Sequence, residues 1–300
     1  MLLLCFIYRC CPDRYEYIYT MKKLHLSLLI VAASILFSCE KSVEESARLL
    51  LAEARGLYAL NEYNTARMLI DSLSLTYPKA YKTRREAELL RREVMLKEKQ
   101  RDVEYFTGMC DALSSKRDSL VAGFVFNKEG QYQDMGYYTV PSQAIALNPF
   151  NNFLRASVRE NGDAYLTSYY RGAKIAHKTL KVSAGDSFVV CDEPFSSRSY
   201  WYLGTYNERR DYRYGADNGI MDYISSASSP VKVEISGEQG KYEYMLRGED
   251  AVAIRRVIEL SNLLKMLNEA NTMRDEAQRA LDFLIKSQQR SQVQFADDNQ

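Results

Sequence analysis

Histidine and tryptophan are scarce in this 300-residue chain, which has two histidines and one tryptophan. Because histidine is the commonest metal ligand and the usual acid–base group near neutral pH, the scarcity argues against a histidine-built centre. A charge excess of one sign is also lacking, since 40 lysines and arginines balance 39 acidic residues to a formal charge of +1. Such a chain has no general attraction to a phosphate backbone, so we expect no nucleic-acid partner.

Known catalytic motifs are absent as well. The sequence contains no nucleophile elbow, no zinc-protease motif and no glycine-rich phosphate loop. Scattered acidic residues leave a paired-carboxylate enzyme as the alternative, but their spacing does not show a pair. We therefore predict a protein without catalytic, metal or cofactor residues, that is, not an enzyme. The acidic residues considered were Asp134, Asp192, Glu193, Asp217 and Asp222.

Hydrophobic residues make up 46% of the chain and charged residues 26%. This balance allows a buried core and excludes collagen-like, fully disordered and multi-span membrane classes. One apolar run stands out near the start, at residues 26–37, and it follows the short basic segment Met21–Lys23. The run is shorter than the roughly 20 residues that a membrane-spanning helix needs, so residues 21–38 are predicted to be a signal peptide.

The residues that end this segment, Leu36, Phe37, Ser38 and Cys39, resemble the lipobox of bacterial lipoproteins. The resemblance implies that Cys39 receives a diacylglycerol thioether, that cleavage falls just before it, and that the new amino terminus is acylated. Several acyl chains on one residue hold a protein firmly on a bilayer without spanning it. Residues 1–20 fit no part of this signal, and we interpret them as an upstream extension created by a gene-start error.

The acidic stretch 40–45 loosely resembles the lysine-plus-acidic signals that sort lipoproteins in some Gram-negative bacteria. Favourable acidity at a helix N-terminus explains Glu44 and Glu45 equally well. We expect a lipid-anchored protein of the cell envelope, with the outer membrane favoured over the inner one. The sequence leaves open whether the protein faces the periplasm or the cell surface.

The mature chain predicts an α+β fold. Residues 39–80 hold the anchor and a helical hairpin that resembles one tetratricopeptide repeat, with Leu50, Ala54 and Ala66 at small or apolar positions and Pro78 at its end. Long helices are predicted over 81–118 and 249–289, paired with each other, and a polar disordered tail over 290–300. The hairpin and the two long paired helices flank the region between them.

In that region, 119–248, apolar residues recur with a period of two. The region is predicted to form an antiparallel β-sandwich or barrel of about eight strands. Asn161-Gly162 predicts a hairpin with a type I′ turn. Cys110 and Cys191 either pair or stay as buried thiols, and we favour the thiols.

The most suggestive surface of the β-domain is rich in tyrosine and interleaved with arginine. On one extended strand, Tyr200, Tyr202 and Tyr206 face one way and Trp201 and Leu203 face the other, so one set lies outside the core. Exposed aromatic side chains stack on sugar rings or on protein partners, although the same tyrosines also suit a core. The candidate ligand or partner surface consists of Tyr200, Trp201, Tyr202, Tyr206, Tyr212 and Tyr214.

The function predicted from these features is a non-catalytic, lipid-anchored envelope protein with a structural or protein-interaction role. Its expected partners are the membrane, through the lipid on Cys39, and an envelope protein or a second copy, through the long helices. The alternative is a cell-surface lipoprotein that binds a glycan through the aromatic residues of its β-domain.

Overall fold

The computed structural model describes residues 43–128, 130, 134–144, 147–148 and 151–297, with the backbone alone for 291–297. The predicted extension 1–20, the signal peptide 21–38 and Cys39 lie outside these residues. The described chain divides into two compact units, one made of 43–102 with 277–297 and the other of 103–276. No helix among the described residues combines the length and the apolar character needed to cross a bilayer.

The first unit is helical. Helix α1 covers 43–59, α2 covers Tyr63–Thr76, and α3 begins at Tyr81 and ends at Val121. Asn61 turns the chain between α1 and α2 with a φ of 64°, a left-handed conformation that asparagine tolerates better than most residues. Small and apolar side chains from α1, α2 and the start of α3 form one core: Ala47, Leu51, Ala54, Tyr63, Ala66, Ile70, Leu73, Ala80, Ala87, Leu90 and Val94.

The start of α3 is connected to α1 by a partly buried polar contact. The Glu44 carboxylate accepts hydrogen bonds from the backbone N–H of Thr83 at 2.8 Å and from its hydroxyl at 2.7 Å. The first N–H groups of a helix have no partner within it, so Glu44 satisfies one of them and places its negative charge near the positive helix end.

The second unit contains two antiparallel sheets, and neither closes into a barrel. The α+β class is thus confirmed. The six-stranded sheet has the order β1-β2-β3-β4-β8-β7 and the four-stranded sheet the order β10-β9-β5-β6. The strands are β1 Val125–Asn127, β2 Tyr137–Thr139, β3 Phe153–Arg159, β4 Ala164–Gly172, β5 His177–Ala184, β6 Ser187–Cys191, β7 Ser196–Tyr202, β8 Thr205–Arg213, β9 Lys232–Gly237 and β10 Gly240–Met245.

Both sheets share one hydrophobic core with helix α5, which covers Gly248–Asp297, and with helix α4, which covers Ile220–Ser226. On β3 the inward residues Leu154, Ala156 and Val158 are fully buried, as the period of two requires. The alternate residues of β3 therefore point to the opposite, outer face of the six-stranded sheet.

Helices α3 and α5 contact each other within the second unit. Cys110 packs with Leu267 and Ala270, while Arg256 lies over the ring of Phe124. Later residues of α3 and its following turn meet earlier residues of α5, so the two helices run antiparallel here. Cys110 and Cys191 are both free and buried.

The described residues form ten strands where about eight were predicted, and three further elements differ from the sequence prediction. The segment expected as one strand over 200–206 is a hairpin, because the chain reverses at Leu203 and Gly204 between β7 and β8. The short helix α4 was not predicted. Helix α5 continues to Asp297 instead of ending at 289, since the polar residues there include no proline or glycine to stop a helix that has already begun.

The type I′ turn is found at a different hairpin from the one predicted. Gly162 has a φ of 87°, whereas Asn161 is not among the residues with positive φ, so the loop between β3 and β4 is not a type I′ turn. Leu203 and Gly204 both have positive φ, 48° and 71°, which is the type I′ pattern. The predicted hairpin at Asn161-Gly162 is present, but its predicted turn type was wrong.

Candidate functional site

The predicted aromatic surface is divided by the hairpin between β7 and β8. Trp201 lies opposite Tyr206 across the ladder, and their rings meet edge to face with centroids 5.2 Å apart. Tyr200 and Tyr202 alternate with Trp201 on β7 and so lie on the other face. The expectation that Tyr206 shares a face with Tyr200 and Tyr202 was therefore wrong, because it treated two strands and a turn as one strand.

The two remaining tyrosines belong to the interior. Tyr212 is fully buried, and its hydroxyl lies 3.4 Å from Nε2 of His177. Tyr214 is half-buried and donates a hydrogen bond of 2.9 Å to Asp222. Neither side chain can form an exposed binding surface together with Tyr200 and Tyr202, so the six predicted residues do not form a single site.

The outer face of the six-stranded sheet brings together residues that the sequence analysis did not combine. Neighbouring outward positions form a row across four strands, from Arg155 on β3 through Thr167 and Asp211 to Ser196 on β7. A second row contains Arg209 of β8 opposite Arg198 of β7. Tyr200 follows Arg198 two residues along the same face of β7, which extends this surface toward the hairpin.

These rows form the floor of an open groove of about 790 Å³. Four arginines and two aspartates line it, so the groove carries a local positive excess that the chain's total charge of +1 conceals. The lining residues are Asp134, Met135, Tyr137, Arg155, Ser157, Arg159, Tyr165, Thr167, Phe195, Ser196, Arg198, Arg209 and Asp211.

Asp211 is already satisfied by its neighbours. Its carboxylate accepts hydrogen bonds from Ser196 and Thr167, each at 2.6 Å, and from Nε of Arg209 at 3.1 Å. Burial acts to raise the pKa of Asp211, but the two hydroxyl donors and the Arg209 charge outweigh it and hold the pKa below its ordinary value. Asp211 and Arg209 thus form a neutral pair within the groove.

Arg155 is the most buried of the four arginines that line the groove. It exposes 9% of its surface, its guanidinium lies over the Tyr137 ring at 5.8 Å from the centroid, and its Nε has no hydrogen-bond partner in the protein. Among the described residues, no carboxylate lies within ion-pair distance of Arg155, Arg159 or Arg198. Three guanidinium groups therefore face the groove without an acidic partner from the described chain.

One part of the groove could have been predicted from the sequence. Arg155, Ser157 and Arg159 alternate with the apolar residues of β3, which marks one polar face of a strand whose other face is buried. The partners of that face come from β4, β7 and β8, and their register with β3 is a long-range property that no local pattern reports.

The residues that the sequence offered for catalysis are not arranged as a catalytic centre in the described chain. His177 is 2% exposed, and burial together with the Arg210 charge lowers its pKa to about 3, so its ring stays neutral at ordinary pH. Of the acidic residues considered, Asp134 lies in the groove with Asp211, while Asp217 is buried and binds the start of α4 through Met221 N–H. Within the described chain, no group of three or more potential metal ligands occurs.

Comparison of the chain with protein-family models, curated proteins and solved structures gave no match. The function is therefore inferred from the groove and its chemistry.

Proposed function

We propose that this chain is a lipid-anchored, non-catalytic protein of the cell envelope that acts by binding, and that the outer face of the six-stranded sheet is its contact surface. The observation that supports this role is Arg155. Its buried Nε has no hydrogen-bond acceptor in the protein, and a buried donor left unpaired costs about 1–3 kcal/mol. Such a donor at the floor of an open groove is well suited to a ligand that supplies the missing acceptor.

The state of Asp211 supports binding over hydrolysis. A glycosidase needs one carboxylic acid with a raised pKa to protonate the leaving oxygen. The pKa of Asp211 is lowered instead, and three donors occupy its oxygens. Asp211 is thus a structural acceptor that orients Arg209. Release of shortened products from any bound polymer would contradict the non-catalytic assignment.

The anchoring part of the proposal depends on Cys39, and it is tested by metabolic labelling with palmitate. The wild-type chain is expected to take up the label and to sediment with membranes, whereas Cys39→Ser takes up none and stays soluble. Cys110→Ala is the matched control, because this buried thiol is unavailable and the variant should keep both label and sedimentation. A labelled Cys39→Ser variant would contradict the anchor.

A second candidate function, glycan binding, is favoured by a specific feature of the same surface. Phe195 lines the groove, and 62% of its surface is exposed. Tyr200 and Tyr202 lie on the same outer face of the sheet and are 52% and 58% exposed. Flat exposed rings beside hydrogen-bonding side chains match the two faces of a sugar, one apolar and one polar. The protein-contact role and the glycan-binding role use the same surface, and they differ only in the ligand that binds there.

A further inference from the structure

The charges of the groove point to an acidic occupant. Arg155 and Arg159 lie on β3 and Arg198 lies on β7. Guanidinium groups pair with carboxylates through two parallel N–H donors, which is the strongest hydrogen-bonded arrangement available to them. Because Arg209 is already neutralised by Asp211, the three other arginines determine which ligand charge the groove favours.

The positions of these arginines indicate a ligand with several carboxylates. Strands β3 and β7 are separated by β4 and β8, so the two strands lie about 14 Å apart at about 4.8 Å per strand spacing. The register places Arg198 opposite Phe153, so Arg198 is also offset along the strands by two residues from Arg155 and by six from Arg159. A molecule with one carboxylate cannot reach both strands. A polymer that repeats a carboxylate along its length can pair with Arg155 or Arg159 at one side of the groove and with Arg198 at the other.

The groove favours a polysaccharide over a peptide. It lies on the face of the sheet, where backbone groups are already used in the strand ladders, so an extended peptide cannot add a strand there. Recognition must come from side chains. Ser157 and Asp134 add a hydroxyl and a carboxylate for sugar hydroxyl groups, and the exposed ring of Phe195 offers an apolar stacking surface.

We propose that this groove binds a polysaccharide that carries carboxylates, a uronic-acid polymer, with Arg155, Arg159 and Arg198 pairing with its carboxylates. The inference rests on the glycan-binding candidate above and specifies the class of glycan. It does not depend on the lipid anchor, which is tested separately by labelling.

The test is calorimetric titration of the full mature chain with tetragalacturonate, a mannuronate tetramer and a hyaluronan tetrasaccharide. We expect at least one acidic probe to bind, and the fully methyl-esterified form of the galacturonate probe to bind at least about tenfold more weakly than the free acid, because it keeps the sugar chain but loses the charges. Binding should weaken as salt increases.

The variants locate the site. Arg159→Gln and Arg198→Gln remove exposed guanidinium groups, and each should weaken binding about tenfold. Lys178→Gln, which removes one positive charge from an exposed position on β5 of the other sheet, should leave affinity unchanged. Arg155→Gln is expected to abolish binding, and its thermal melting curve shows whether the variant still folds. If Arg155→Gln does not fold, the Arg159→Gln and Arg198→Gln variants decide whether the groove binds the probe.

Four results would overturn the inference. The first three are the absence of binding to all three acidic probes, equal binding of free and esterified galacturonate, and equal losses from Lys178→Gln and Arg159→Gln. Tighter binding of tetraglutamate than of any acidic sugar would likewise reject a glycan and would leave the groove as a protein-contact surface. The last result separates failure of this inference from failure of the proposed binding role.

Discussion

Trp201 and Tyr206 pack edge to face across a two-residue turn, with ring centroids 5.2 Å apart. The turn places Leu203 in the left-handed region at a φ of 48°, a conformation that costs a leucine roughly 1 kcal/mol. The exposed end of β7 is therefore held by an aromatic pair despite an unfavourable turn residue.

Replacing Leu203 with asparagine should stabilise this hairpin. Asn-Gly is the preferred pair for a type I′ turn, so we expect Leu203→Asn to raise the free energy of unfolding by about 0.5–1 kcal/mol. Urea denaturation followed by circular dichroism measures the change. Fluorescence of Trp201, the single tryptophan, reports the hairpin itself. A lower midpoint for Leu203→Asn than for the wild type would show that the turn conformation is different.

Glu208 is expected to be essential for the stability of the second unit. Its buried carboxylate accepts hydrogen bonds from the backbone N–H groups of Ile175, Ala176 and His177 and lies 3.5 Å from the Arg210 guanidinium. Glu208→Ala leaves these backbone donors without an acceptor, removes the carboxylate that pairs with the buried Arg210 guanidinium, and should destabilise the fold by about 3–5 kcal/mol.

Glu208→Gln is the control for this effect. It keeps one acceptor oxygen but no charge, so its loss of stability should lie between those of the wild type and Glu208→Ala in the same urea experiment. Equal stability of all three proteins would mean that the Glu208 contacts do not form in solution.

His177 should make stability depend on pH above the range where carboxylates titrate. Its pKa is about 3 in the folded protein and near 6.5 in the unfolded chain, so the unfolded chain binds the proton first as pH falls. Stability is then full above pH 6.5 and decreases from there toward pH 3, by on the order of 5 kcal/mol in total. Asp163 and Asp211, whose pKa values are lowered, lose their stabilising effect only below their ordinary value of 3.8.

Between pH 6.5 and 5, the change in stability therefore comes from the protonation of His177. We expect the wild type to lose stability across it and His177→Gln to show a flatter slope, measured by urea denaturation at each pH. The same slope in both proteins would place the ring of His177 in solvent.

Gly162 fits tightly against α5. A Cβ built there would lie 2.8 Å from Cγ of Lys265, and the Gly162 carbonyl accepts a hydrogen bond of 2.6 Å from Ser261. Gly162→Ala thus combines an unfavourable φ with a steric clash and should cost about 2–3 kcal/mol. Gly185→Ala is the matched control, because Gly185 also has a positive φ but has open space around it, and it should cost only about 1 kcal/mol. Equal losses in the two variants, by thermal or urea denaturation, would indicate that Gly162 does not pack on α5.

Local patterns in the sequence were sufficient for the α+β class, because helical and strand periodicities differ over each segment. They were insufficient where a turn residue was unusual, as at Leu203, a leucine in a position that normally favours asparagine or glycine. The change of direction there reversed the side of Tyr206 and made Tyr212 an inward residue of β8. Arg155 and Arg198 are far apart in sequence, and only the strand order β3-β4-β8-β7 brings them to one groove.

The central claim, that the groove is the binding surface of this protein, is tested most directly by photo-crosslinking in intact cells. A benzophenone amino acid replaces Ser157 on the groove floor in one variant and Lys178 on the other sheet in a second variant. If the groove is the binding surface, position 157 gives a discrete adduct that is lost when Arg159→Gln and Arg198→Gln are added, and position 178 gives no such adduct. No adduct from position 157, or the same adduct from both positions, would contradict it.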